Sequence, residues 1–199
     1  MANYGELHNE MIKNIMSTVR ISADMTEEQK KAILIQGFID NSGTGNEEIL
    51  EQGFSFNSPY EILDAVKDKM SLDLYNILKE DLDYLLNTDN VDYEKYFNER
   101  SLKKLDAKEL ELYKDCSSIF PNSVQLWSSE EGIAYNNLLY TPEVAARRPP
   151  TREQIVGTIG AYDWVGGVFG GFLGGPAGVV VGAALSSVSQ AMSMSISYH

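Results

Sequence analysis

One cysteine, Cys116, and two histidines, His8 and His199, are all the thiol and imidazole this chain has. A single thiol cannot close an internal disulfide, and no cysteine cluster exists to hold zinc. Ser-His-Asp chemistry would have to rest on His8, with no nucleophile motif in support. Bases are scarce as well: sixteen Lys and Arg against twenty-nine Asp and Glu leave a net charge of −13. Nucleic acid is therefore not an expected partner, because phosphates need a basic footprint. Runs with the two-residue period of a strand, repeats of fixed length and a Gly-rich loop ending in Lys-Ser or Lys-Thr are all missing. The opening residues lack a signal-peptide pattern, since Glu6, His8 and Glu10 fall where an apolar centre would be needed. The cell envelope or the exterior is expected if a leader has been removed, and the cytoplasm otherwise. Neither an enzyme nor a cofactor is expected.

The chain has 199 residues, 43% of them apolar, which suffices to bury a core. Charge is distributed unevenly. Residues 1–146 carry 27 acids and 13 bases, whereas no Asp, Glu, Lys or Arg follows Asp163. Ten of the sixteen glycines lie between Gly157 and Gly182. These shifts divide the sequence into an acidic body, 1–146, an Arg147-Arg148-Pro149-Pro150 linker, 147–150, and a glycine-rich segment, 151–199.

The body reads as helical. Leu7, Met11, Ile15 and Val19, with Ile12 and Met16, form one apolar face of a first helix. Thr26 and Gln29 spell a capping box, and Ser58-Pro59-Tyr60-Glu61 combines an N-cap, Pro at the first helical position and Glu at the third. Leu74, Leu78, Leu82 and Leu85 predict a helix from Leu72 to Leu86, and Asp92 and Asp106 are caps for two more. Residues 123–140 read less clearly, because Ser128-Ser129 and Gly132 interrupt the pattern. His8 reads as a surface or capping residue. Glu80-Asp81-Asp83 reads as a solvated helix face, Cys116 as a buried structural thiol, and the tyrosines as half-buried packing groups.

In the glycine segment Thr151 and Gln154 form a fresh capping box. Gly166, Gly170, Gly174, Gly178 and Gly182 recur every fourth residue, with a second row at Gly167, Gly171 and Gly175. Such spacing keeps glycines on one helix face, where another backbone can approach closely. Pro176 is ill-suited to a helix interior and well suited to a helix start, so a helical hairpin is expected, turning at Gly174-Gly175. The whole chain is then all-α: a helical bundle followed by a glycine-rich αα-hairpin. Trp164–Leu185 is a run of 22 uncharged residues, long enough for one membrane span. Against two spans stands Asp163, midway along the first arm, where an acid costs roughly 2.5–3.5 kcal/mol. Helices apolar all round are buried in cores or in bilayers.

The run Gly166-Gly167-Val168-Phe169-Gly170-Gly171-Phe172-Leu173-Gly174-Gly175-Pro176-Ala177-Gly178 resembles the glycine-zipper segments of bacteriocin-type peptides and their precursors. The opening Tyr4-Gly5-Glu6-Leu7-His8-Asn9 resembles the start of bacterial proteins, often exported, that carry such a tail. The resemblance implies an envelope-associated or secreted bacterial protein with membrane-disrupting potential in its tail.

One calcium pattern occurs. Across residues 40–51, oxygen-bearing side chains stand at loop positions 1, 3, 5, 9 and 12, with Gly45 at position 6. Asp40, Ser42, Thr44 and Glu51 are the candidate ligands. A plain Asn-Ser-Gly-Thr-Gly turn between helices accounts for the same residues. The leading expectation is a non-enzymatic protein whose eight zipper glycines and Pro176 contact a membrane, a partner helix, the body or a second copy in a homo-oligomer. The alternative is a soluble binding module with a weak calcium loop.

Overall fold

The computed structural model describes residues 3–42, 47–88, 91–140 and 151–194. Among them the protein is all-α, with ten α-helices and one short 3-10 turn at Lys67–Lys69. The Arg147–Pro150 linker and His199 lie outside the described residues.

Most helices start where a short polar side chain caps free amides. Asn3 opens α1 (Tyr4–Thr18), and Thr26 with Gln29 opens α2 (Glu27–Ser42) through reciprocal bonds. After α3 (Glu47–Gln52), Ser58 and Pro59 start α4 (Pro59–Ala65), and Ser71 caps α5 (Leu72–Asn87). Asp92 and Asp106 cap α6 (Tyr93–Glu99) and α7 (Ala107–Ser117). The ambiguous stretch after Ser123 resolves into α8 (Ile119–Ser128) and α9 (Glu130–Leu139), with Ser129 ending one and capping the other. The break there needs Gly132, because a Cβ would fall 2.8 Å from the Leu126 carbonyl carbon and from Trp127 Cα. Thr151 and Gln154 complete the capping box of α10 (Arg152–Ser193).

Helix α10 lies at the centre. It packs against α8, α1, α4, α3, α7, α5, α2 and α9. Its buried side chains share one hydrophobic cluster with Ile12, Leu34, Phe38, Leu78 and Trp127. The acidic helices therefore sheathe the most apolar one. Sequence periodicity expects a polar outer side for such helices, and α10 has none, because Ile155–Phe169 is buried without interruption except at Gly157 and Thr158.

Two expectations about the sheath need correction. The inward face of α1 is Gly5, His8, Ile12, Ile15 and Met16, while Leu7 is exposed. Gly5 allows this rotation by letting α1 approach the Ser118 and Asn122 positions of α8 closely. Asp81 is not on a solvated face. It is fully buried, in line with Leu74, Leu78, Leu82 and Leu85. Its carboxylate accepts hydrogen bonds from Tyr96 Oη (2.7 Å) and Tyr113 Oη (2.6 Å) and contacts Arg100 Nε at 2.7 Å. Tyr113 is likewise buried rather than half-buried.

Inside α10 one residue is not helical: Gly175, at φ 62° and ψ −150°. Only glycine adopts that backbone without strain. On either side of it, backbones come into contact. A Cβ at Gly166 would fall 2.6 Å from the Gly182 carbonyl oxygen, and one at Gly170 would overlap the Gly178 carbonyl. The second row faces elsewhere: Gly167 meets Ile119 and Cys116, and Gly171 meets Leu112 and Val179.

Replacing Gly170 with Ala therefore lowers stability by about 1–3 kcal/mol, despite alanine's better helix propensity. Gly157→Ala, whose new Cβ would meet only Tyr93 Oη at 4.0 Å, raises stability by about 0.5–1 kcal/mol. Urea denaturation of the two variants beside the parent checks both signs.

Candidate functional site

The glycine rows and Pro176 are brought together around the Gly175 break. Gly166, Gly170, Gly178 and Gly182 meet as described, Gly174 and Gly175 are half-buried, and Pro176 and Ala177 are exposed. The exposed part of α10 just after the Gly175 break is thus uncharged. Of the candidate calcium residues, Asp40, Ser42 and Glu51 lie in described segments. Asp40 is exposed near the end of α2, where its Oδ1 accepts from Gln36 Nε2 at 2.8 Å. Ser42 is the last residue of α2, and Glu51 is exposed on α3. Thr44 lies outside the described residues. Among the described residues no group of three His, Cys, Asp or Glu side chains is placed to hold a metal.

A second constellation lies deeper, and sequence reasoning did not assemble it. Asp163, the last charged residue before the glycine run, is fully buried on α10. Its Oδ2 accepts hydrogen bonds from Ser123 Oγ of α8 and from Ser187 Oγ of α10, the latter at 2.7 Å. Trp127 Nε1 donates to Ser187 Oγ at 2.8 Å, so α8 reaches the same point twice. The Nε2 of His8, on α1, lies 3.2 Å from Asp163 Oδ2. Neither His8 nor Asp163 has any exposure. His8 is therefore a core residue, which corrects the surface assignment. On its other side Nδ1 lies 2.9 Å from Asn9 Oδ1, and Asn9 Nδ2 donates to the Asn122 carbonyl at 3.0 Å.

Burial pushes the Asp163 carboxyl above the usual carboxylate range, while His8, Ser123 and Ser187 pull it down. Desolvation is the larger effect, as expected for a carboxyl with no water around it. Asp163 Oδ1, Trp164 Nε1 and His8 Nε2 have no hydrogen-bond partner among the described residues, so the imidazole faces the carboxyl as a close contact rather than a formed hydrogen bond. Both serines address the carboxylate rather than the imidazole, so neither is activated as a nucleophile. The cluster is a polar junction that ties α1 and α8 to α10. The signal that could have found it was already present: Asp163 borders a long uncharged run and requires a partner once buried, and His8 was one of two imidazoles available.

Cys116 is fully buried, and burial raises its thiol well above the ordinary range. Lys30, also buried, donates to the last carbonyls of α9 at Leu139 (3.1 Å) and Tyr140 (2.9 Å). Surface hollows are shallow and mixed in lining. The one beside the exposed part of α10, about 460 Å³, is lined by residues including Lys69, Lys108, Leu112, Phe172 and Pro176.

No family model, curated protein or solved structure matches this chain. Geometry and chemistry alone therefore carry the functional reading.

Removing the carboxyl leaves His8 unpaired in the core, so Asp163→Ala lowers stability by about 3–5 kcal/mol. Asp68→Ala, at an exposed position, changes stability by no more than about 0.5 kcal/mol. Thermal melts of the two variants read the difference. In the folded protein Cys116 resists iodoacetamide and reacts fully in denaturant, as mass spectrometry of alkylated samples would record.

Proposed function

We propose that the protein is a non-enzymatic carrier of a membrane-inserting glycine-zipper hairpin, held in its acidic helical sheath until it meets a bilayer. In this reading α10 turns back on itself at Gly175. Residues sixteen apart on a straight helix stand about 24 Å from each other, yet the Gly166 and Gly182 backbones touch. The zipper glycines let the two arms close on each other without the body, so the hairpin has a packing partner wherever it goes.

The arms have suitable lengths. Residues 155–174 and 176–193 correspond to about 30 Å and 27 Å of helix, near the thickness of a bilayer's hydrocarbon core. Among the described residues, α10 is the one helix long and apolar enough to cross a membrane. The core helix of a soluble protein has the same composition, so length alone does not carry the reading.

The observation that carries it is the bond from Ser187 Oγ to Asp163 Oδ2. Asp163 is the obstacle to inserting the first arm. Ser187 stands on the second arm, so the hairpin brings its own hydrogen-bond partner for that carboxyl into the membrane. A neutral, hydrogen-bonded carboxyl is far cheaper to bury than an isolated charge. The exposed, uncharged turn at Pro176 and Ala177 is the part that meets lipid first. The net charge of −13 keeps the sheathed form soluble.

The test uses the full chain carrying Ala177→Cys labelled with an environment-sensitive dye, Cys116 being buried. On adding phosphatidylcholine–phosphatidylglycerol vesicles, the dye signal shifts to the blue, the protein co-sediments with lipid, and entrapped dye leaks. A chain that stays in the supernatant with an unshifted label would mean that the zipper serves only as the core of the fold.

A further inference from the structure

We propose that the hollow beside the Gly175 break is a binding site for a small amphipathic amine, an apolar body that carries an ammonium or guanidinium group. The body lies on the apolar floor that α10 provides, and the cation lies at the edge formed by Glu111 and Asp115. Occupancy also restrains α10 in its sheath. That consequence rests on the hairpin reading above, whereas the site itself does not.

With a volume of about 460 Å³ the hollow has the size of a small-molecule site. Its floor is apolar, made by Leu112 of α7 and by Gly171, Phe172, Pro176 and Val179 of α10. Phe172 is half-buried and Pro176 exposed, and a Cβ at Gly175 would meet nothing within 4 Å, so the floor is open where the backbone breaks. The acids around it are of two kinds. Glu109 is engaged by Ser71, whose N–H and Oγ donate to it at 2.7 and 2.9 Å, and Asp106 accepts from the Glu109 N–H as the cap of α7. Glu111 and Asp115, one turn apart on α7, form no ion pair among the described residues. Burial, and then the Glu111 charge, push the Asp115 carboxyl above its usual range, with no cation to offset them. Tyr4 of α1 borders the same hollow, and burial, followed by the charge of Asp115, raises its phenol too. Lys69 and Lys108 also line the hollow but are exposed and leave these two acids unanswered. An apolar floor takes hydrocarbon, and an unanswered pair of carboxylates takes a cation. One ligand that has both parts satisfies the two together.

The lining belongs to separate elements. Tyr4 stands on α1, Glu111, Leu112 and Asp115 on α7, and the rest of the floor on α10. The site is therefore complete only while α10 is sheathed. A ligand bound there favours the sheathed form by one plus the ratio of its free concentration to its Kd. At about nine times Kd, insertion of the hairpin falls about tenfold.

The experiment titrates the full chain with phenylbutylamine, and with phenylbutanol and phenylbutyrate, which carry the same body with no charge and with a negative one. Amide chemical shifts read the binding. The amine gives saturable shifts centred on Leu112 and Phe172, at an affinity at least about fivefold above those of the alcohol and the acid. In the double variant Glu111→Gln, Asp115→Asn the amine loses about fivefold and the alcohol is unchanged. That variant removes a like-charge pair outside the core, so it folds as the parent does. Equal affinities for the three compounds, or tighter binding of the acid, overturn the cationic ligand, and the absence of saturable shifts overturns the site. In a second arm, phosphatidylcholine vesicles keep lipid charge from attracting the amine. There the amine lowers co-sedimentation of the parent and not of the double variant. Amine binding without that effect overturns the restraint and leaves the site standing. A parent that does not co-sediment even without the amine overturns the hairpin reading, and the restraint with it, while the amide shifts still decide the site.

Discussion

Desolvation of one carboxyl organises this molecule. Asp163 stands wholly out of water on α10, with no charged residue after it, and it can be tolerated at the centre only if other elements answer it. His8 comes from α1, Ser123 from α8, and Ser187 from the same helix after its break. A requirement at one atom thus fixes the rotation of α1, the height of α8 and the alignment of residues before and after Gly175. The apolar packing around it is extensive but not directional. The polar junction supplies the direction.

The glycines impose a second constraint of a different kind. A backbone contact with no side chain between helices leaves no freedom to accommodate a misplaced neighbour. Gly166, Gly170, Gly178 and Gly182 define one such contact, and the side chains of Ile119 and Leu112 fill the spaces left by Gly167 and Gly171. The first row meets backbone of α10 beyond Gly175, and the second meets side chains both of the sheath and of Val179 on α10.

Much of the local structure was legible in the sequence, because capping is a local matter. Thr26, Ser58, Asp92, Asp106 and Thr151 mark helix starts through bonds that span three residues. The polar junction was not legible, since its members stand at positions 8, 123, 163 and 187, and no spacing rule links them. Asp81 is an intermediate case. It falls in register with Leu74, Leu78 and Leu85, yet its acidity suggested solvent. Only the arrival of Tyr96, Tyr113 and Arg100 from later helices makes its burial affordable.

The centrality of α10 also bears on how the chain comes to be folded. Nine helices precede it in sequence, and most of them pack against it. During synthesis these helices leave the ribosome before their common partner, so the faces they turn to α10 stay unpaired until it emerges, while α1 and α8 already have each other. Contacts between α1 and α10 join residues that are far apart in the chain, and such contacts form slowly. The nascent sheath, without its centre, is the species most exposed to aggregation and to chaperones.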